Sequence, residues 1–195
     1  MPKTKKIVNL PYVALRGKVA FPYTTSLFDV GRLPSLNAVS HASERDMKLF
    51  VSLQKEADKD EIAPADVFEV GTVVRILQIG KLPSNNLRLT VEGLYRARAE
   101  EIYEEEGCFY ANVAELAPMH ADPVLEEAYF RTAQDILADI QGFDPRFPKD
   151  AMAKLEKFTD PFEYIANALS FLHIREDAKQ KILEAAYVVD QLKIF

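Results

Sequence analysis

An α+β fold, strands first and helices after, is the class that this sequence predicts, and three observations carry the prediction. Between Ile7 and Leu116, β-rich segments alternate with turn clusters such as Pro83-Ser84-Asn85-Asn86 and Glu104-Glu105-Glu106-Gly107. Around Pro118 the apolar spacing changes to a helical period. Two Asp-Pro pairs, Asp122-Pro123 and Asp160-Pro161, then stand where helices would open, each Asp a good N-cap and each Pro at the first helical position. The expected organisation is a β-rich lobe over residues 1–117 and a helical bundle lobe over 118–195. Several strands joined by tight turns suggest a small barrel or a strongly curled sheet, which would also remove exposed edges.

Residues 7–15 read as the first strand, with Pro11 pointing to an edge or a bulge because proline donates nothing to a ladder. Residues 18–21 and 27–30 read as short strands, with Phe21-Pro22-Tyr23 in the turn between them. After Gly31, the residues Leu33, Leu36, Val39 and Ala42 fall on one helical face. Residues 48–54 alternate, placing Leu49, Val51 and Leu53 on one side. Residues 55–64 form a polar loop. Its carboxylates Glu56, Asp58, Asp60 and Glu61 interleave with Lys55 and Lys59 and fit no calcium-loop pattern, so they read as a solvated loop. Residues 67–82 and 87–103 are long strands, the second bent near Gly93, and 108–116 returns as another.

In the second half, Asp122 opens a helix with an apolar face of Leu125, Tyr129, Ile136 and Ile140, which ends at Gly142-Phe143-Asp144-Pro145. A short helix over 150–158 follows. A third opens at Asp160 with Glu163 at the capping-box position and a core face of Phe162, Ile165, Ala166, Leu169 and Leu172. A fourth runs from about Arg175, with Ala178, Ile182, Leu183 and Ala186 inward. Residues 188–195 are too apolar for a solvent-facing tail; they read as the start of an element cut short, the alternative being a terminus packed back on the helices.

Composition narrows the function classes. Apolar residues make up 48% and charged residues 28%, enough for a core with a soluble surface and too apolar for disorder. The net charge of −6 disfavours nucleic acid, and the one basic cluster is Lys3, Lys5 and Lys6. No apolar run is long enough to span a bilayer, and no leader pattern follows the basic start. The single cysteine, Cys108, excludes a disulfide within the chain, suits a cytoplasmic setting, and reads as an ordinary strand residue within 108–113. The glycines supply no P-loop spacing, there is no Gly-x-Ser-x-Gly elbow, and His41, His120 and His173 are too scattered for a zinc site. No catalytic residue, metal or cofactor is expected within this chain.

A more specific pointer lies in local motifs. Leu10-Pro11-Tyr12-Val13-Ala14-Leu15-Arg16, then Val19-Ala20-Phe21-Pro22, then Val30-Gly31-Arg32 with Ser35 and Ala38, resemble the opening of the N-terminal domain of ATP-dependent Lon proteases. Phe68-Glu69-Val70-Gly71-Thr72-Val73, Lys81-Leu82-Pro83 and above all Val91-Glu92-Gly93-Leu94-Tyr95-Arg96-Ala97 continue the likeness. Asp160-Pro161 with Ala166, and 179–184, are similar to the helical half of the same domain. The chain departs from the family at Ala14 and Leu27, where proline is usual, at Thr24, where methionine is frequent, and at Tyr187, where aspartate is.

The resemblance implies a PUA-like β-barrel lobe followed by a helical lobe. Among the motif residues, Arg16, Arg32 and Arg96 read as partners for carboxylates or carbonyls at barrel rims. The resemblance also implies capture of unfolded or damaged proteins. In the full protein it implies a hexamer whose ATPase would use ATP and Mg and whose protease would use a Ser–Lys pair. Pro22, Tyr23, Phe28 and Leu33, on or near the first loop, are the candidate substrate-binding residues, because unfolded clients share little but apolar surface. A freestanding Lon-domain binding module without a protease is the alternative. An RNA-binding PUA-like protein is disfavoured by the acidic balance and the lack of a basic stripe. The purified 195-residue chain is expected to hydrolyse no ATP and cleave no peptide; turnover that disappears on mutating the chain would overturn this reading.

Overall fold

The computed structural model describes residues 6–195, so Lys3 and Lys5 of the basic cluster lie outside the described residues. The chain divides into two compact units, the first ending at Ala117 and the second beginning at Pro118.

The first unit contains β1 (Ile7–Leu15), β2 (Thr25–Val30), α1 (Leu33–Ser43), β3 (Lys48–Leu53), β4 (Val70–Lys81), β5 (Leu87–Glu105) and β6 (Cys108–Glu115), with a 3-10 turn at Pro64–Asp66. They build one six-stranded mixed sheet in the order β2-β5-β4-β3-β1-β6, and β5 also pairs with β6. The pairings β1-β3-β4-β5-β6-β1 therefore run in a closed circuit. Every pair is antiparallel except β1 with β3, where Tyr12 lies beside Phe50 and Leu15 beside Leu53. Pro11 faces Tyr110 of β6, and the β3 ladder begins one residue later, so its missing N–H falls where β1 has a partner on one side only. The β5–β6 turn is Glu106-Gly107, both at positive φ (51° and 71°), as a two-residue hairpin with right-handed strand twist requires.

The sheet has apolar cores on both faces. Along β1, Leu10, Tyr12 and Ala14 enter one and Val13 and Leu15 the other. Along β3, Phe50 enters the first and Leu49 and Val51 the second. Leu49 and Val51 share a face, as the alternation of 48–54 predicts, and Phe50 is buried on the other because the strand is covered on both faces. The segment 18–21 is not a strand. Val19, Ala20 and Phe21 are buried, so their apolarity reflects packing without a ladder. In α1 the buried positions are Ser35, Ala38, Val39 and Ala42, and Leu33 is 69% exposed, so the helix is turned away from the expected face at its first residue. Cys108 is buried, and burial pushes its thiol up, consistent with a packing role.

The second unit contains α2 (Pro123–Phe143), α3 (Ala151–Leu155), α4 (Pro161–Ala168), α5 (Glu176–Glu184) and α6 (Val188–Ile194). Both Asp-Pro openings cap as expected. The Asp122 side chain accepts from the N–H groups of Val124 and Leu125, and Asp160 accepts from Glu163 N–H at 2.9 Å. The α2 stripe differs from expectation. Glu126, Ala133 and Leu137 are buried, with Phe130 and Ile140 packed beside them, whereas Leu125 and Ile136 are exposed. The true stripe contains a carboxylate, which disguises it in the sequence; Glu126 is satisfied by Ala121 N–H at 3.1 Å and His120 Nδ1 at 2.8 Å. In α5, Gln180 joins Ile182 and Leu183 inside, while Ala186 is exposed. Val188, Val189 and Leu192 of α6 are buried and Phe195 packs on the core, whereas Ile194 is 44% exposed. No helix among the described residues is long and apolar enough to cross a membrane.

The rotated stripe has a direct test. Leu137→Ala should cost about 2–5 kcal/mol, the usual range for emptying a core site. Ile136→Ala should change stability by less than about 0.5 kcal/mol. Urea denaturation of both variants checks this, and equal losses would reinstate the face predicted from the sequence.

Candidate functional site

Between β1 and β2 the chain runs from Arg16 to Thr24, and a close backbone approach fixes its course. A Cβ on Gly93 would lie 2.1 Å from Phe21 O and 2.9 Å from the Pro22 Cα, so only glycine lets β5 pass this near the loop. Tyr23 N–H donates to Gly93 O and Gly93 N–H to Thr24 O, both at 2.9 Å. Thr24 Oγ1 donates to Phe21 O at 2.8 Å, and Thr72 Oγ1 to Ala20 O at 2.7 Å. The clamp holds Tyr23 at φ 62°, a conformation that costs a non-glycine residue about 1–3 kcal/mol.

The four residues named from the sequence separate here. Tyr23 is 43% exposed at the loop tip and Leu33 69% exposed at the start of α1. Pro22 is buried, where it shapes the loop, and Phe28 is in the core with Leu89 and Val91. Of the four, Tyr23 and Leu33 are exposed to a partner, and Leu27 of β2 is also 48% exposed.

Beside the loop lies a cavity of about 720 Å³ bounded by the end of β1, the loop, β2, the first turn of α1 and the β4–β5 turn. Arg16, Lys18, Arg32 and Arg88 line it, against two carboxylates, Asp29 and Asp60. Asp29 is held by Arg88 across the β2–β5 ladder, at 2.7 Å from Nε and 2.8 Å from Nη2. The Arg88 hydrogen bonds keep its carboxyl below the usual carboxylate range. Arg16 Nη2 donates to Asp60 at 2.5 Å, which likewise holds the Asp60 carboxyl down. Arg32 Nη2 donates to Gln54 Oε1 at 2.7 Å and Lys59 O at 3.0 Å, both neutral acceptors. Burial and the nearby Arg16 charge pull the Arg32 guanidinium below its ordinary value. Arg16 and Arg32 are visible in the sequence motifs; Lys18, Arg88, Asp29 and Asp60 are not, since only the strand order brings these distant positions together. Arg96 serves a different purpose, for its Nε and Nη2 donate to the carbonyls of Leu116 and Ala117 and so tie down the end of the first unit.

The close approach predicts a signed pair of effects. Gly93→Ala should destabilise by about 1–3 kcal/mol through overpacking against the Phe21 backbone. Gly142→Ala, in open space near the end of α2, should stabilise by about 0.5–1 kcal/mol. Thermal denaturation distinguishes them, and a neutral Gly93→Ala would show that the loop moves freely.

Comparison with known proteins adds three findings. The family model described as the ATP-dependent protease La (LON) substrate-binding domain matches residues 9–195. The chain is 32% identical over 192 residues to the Lon protease of Heliobacterium modesticaldum, covering 96% of this chain and 23% of that protein. It is 31% identical to the Lon protease of Clostridioides difficile, covering 98% and 25%, and 29% identical to that of Escherichia coli K12, covering 98% and 24%. The chain thus spans about a quarter of the length of these relatives. Among solved structures, the N-terminal domain of Mycobacterium avium complex Lon protease superposes with a TM-score of 0.75 at 16% identity, covering 96% of this chain and 95% of that one. A Lon N-terminal domain protein from Xanthomonas campestris gives 0.60 at 17%, covering 96% of each. At such identities the structures speak for the fold, and the family model for the lineage: this chain belongs to the Lon substrate-binding domain family.

Proposed function

We propose that this chain is the substrate-engaging region of an ATP-dependent Lon-type protease and that its first loop touches unfolded polypeptide. The observation that carries the reading is the family match over residues 9–195. Exposed Tyr23, held in a costly backbone conformation at the tip of a clamped loop, supports the loop as the contact. Leu33 and Leu27 add apolar surface of the kind an unfolded client can use. The closed circuit of strand pairings favours a PUA-like barrel as the finer description of the first unit. In the whole protein, ATP with Mg would drive translocation in a hexamer, a Ser–Lys pair would cut the client, and the setting would be cytoplasmic, in keeping with one buried free cysteine.

One isolated domain lacks the avidity of an assembly, where linked sites raise apparent affinity by ~10²–10⁴. Binding to reduced casein should therefore be about micromolar or weaker, and the amide signals of residues 16–24 should move in a titration while a folded control leaves them still. Tyr23→Ser should weaken that response and change stability by less than about 0.5 kcal/mol. An equal response to folded and unfolded proteins would sink the reading, and unfolding by Tyr23→Ser would assign the side chain to the core.

A further inference from the structure

We infer that the cavity beside the loop binds a carboxylate of the client polypeptide, with Arg16 and Arg32 as its receptors and Asp60 as a built-in competitor for the same fork. The inference rests on reading this unit as a polypeptide-binding module, and it assigns the client a charged anchor as well as an apolar one.

The charge balance is the first argument. Four cationic side chains and two carboxylates line the cavity, an excess of two positive charges in a chain whose net charge is −6. With Arg16 on Asp60 and Arg88 on Asp29, that excess falls on Arg32 and on Lys18, whose Nζ donates to the neutral Leu27 O. Both acceptors of Arg32 are neutral oxygens, and its Nε is buried with no hydrogen-bond partner among the described residues. Burial and the charge of Arg16 hold the Arg32 guanidinium below its ordinary value. The field of Asp60 acts on both guanidinium groups, so a carboxylate that takes its place keeps the same electrostatic role while being free to bond Arg32 directly.

The second argument is the exchangeable partner. Arg16 grips a carboxylate already, that of Asp60, but Asp60 belongs to the polar loop after β3 and its side chain is 86% exposed. Such a surface pair contributes little and breaks readily. By contrast Asp29 is locked in two hydrogen bonds to Arg88 on the adjacent strand, so it stays in the wall. A client carboxylate thus replaces Asp60 on Arg16 and adds Arg32, while Asp29 and Arg88 remain paired. The cavity, about 720 Å³, is large enough for a chain terminus or an acidic side chain. The resident carboxylates favour a single negative charge over a phosphate dianion. The uncapped first turn of α1, with no side chain bonded at its N-cap and no acidic residue in the first turn, adds a favourable partial charge.

The test uses four versions of one unstructured decapeptide titrated into the 195-residue chain: free acid, C-terminal amide, and the amide with one internal Glu or Gln. The free acid, the Glu peptide or both should bind about tenfold tighter than the matched neutral peptide, and the winner identifies the terminus or the side chain as the source. Amide signals of Arg16, Gly31 and Ser35 should report the binding. Arg16→Gln should reduce the discrimination to within about twofold, and Asp60→Asn should raise the affinity of the charged peptide about threefold or more. The two variants act in opposite directions, so a general loss of folding cannot imitate the result. Equal binding of charged and neutral peptides, or a loss of affinity in Asp60→Asn, overturns the inference, as does inorganic phosphate competing better than acetate at equal concentration. If casein still shifts the loop through Tyr23 while the charged and neutral peptides bind alike, the carboxylate site falls and the substrate-engaging role stands. If neither casein nor any peptide binds, both fall.

Discussion

Nineteen residues of unbroken strand in β5 hydrogen-bond to three neighbours, β2 and β4 along the first half and β4 and β6 along the second. At Ala97 and Arg98 the strand is paired on both sides, to Gly71 and Val70 of β4 and to Glu115 and Ala114 of β6. No flat strand could serve all three. Register shifts opposite Val73/Val74 and at Ala99/Glu101 provide the bends that bring its two halves to different partners. Gly93 sits at the first bend, and its missing side chain is the space into which the Phe21-Pro22 backbone docks. The clamped loop, the exposed Tyr23 and the loop-side wall of the cavity all depend on this strand being long, bent and bare at one residue.

The strands and helices were largely legible because their signals are local. Turn clusters, Asp-Pro caps and the change of period at Pro118 each act over a few residues. What escaped was set by neighbours remote in sequence. Residues 18–21 look like a strand because they are apolar, but the ladder positions are taken by other segments and they pack without one. In α2, Ile136 looks inward and Glu126 outward by residue type, yet the bonds from His120 and Ala121 make the carboxylate cheaper to bury than the stripe suggested. The site was legible only in part. Tyr23 and Leu33 stand on the surface, in a turn and at the first residue of α1, and Phe28 in the core, where β2 packs it with Leu89. The cavity had no sequence signature, since Arg16, Arg32, Asp60 and Arg88 share no spacing.

Charge is distributed unevenly in a way the total conceals. The chain is acidic overall, and some of its ion pairs are exposed i,i+3 or i,i+4 contacts, such as Lys154 with Asp150 and Lys193 with Asp190. These are solvated and weakly stabilising. Two of the four cations that line the cavity are held differently. Lys18 Nζ donates to a strand carbonyl, Leu27 O, and Arg32 to Gln54 and the backbone of Lys59. Backbone and amide acceptors fix these side chains in place without cancelling their charge, and that combination separates a receptor for anions from an ordinary surface ion pair.

The ladder between β1 and β6 joins Ile7 to Ala114 and Pro11 to Tyr110, about a hundred residues apart. A ribosome adding ~5–20 residues per second needs roughly 5–20 seconds to travel that far. Throughout that interval the first strand of the nascent chain, bearing Leu10, Tyr12 and Val13, has no second edge to pair with. Its parallel neighbour β3 emerges sooner, but on that side alone. A domain that would take hold of unfolded chains therefore passes through just such a state during its own synthesis. Until the sixth strand arrives, β1 keeps one bare edge, and closure of the sheet waits on the last strand to be made.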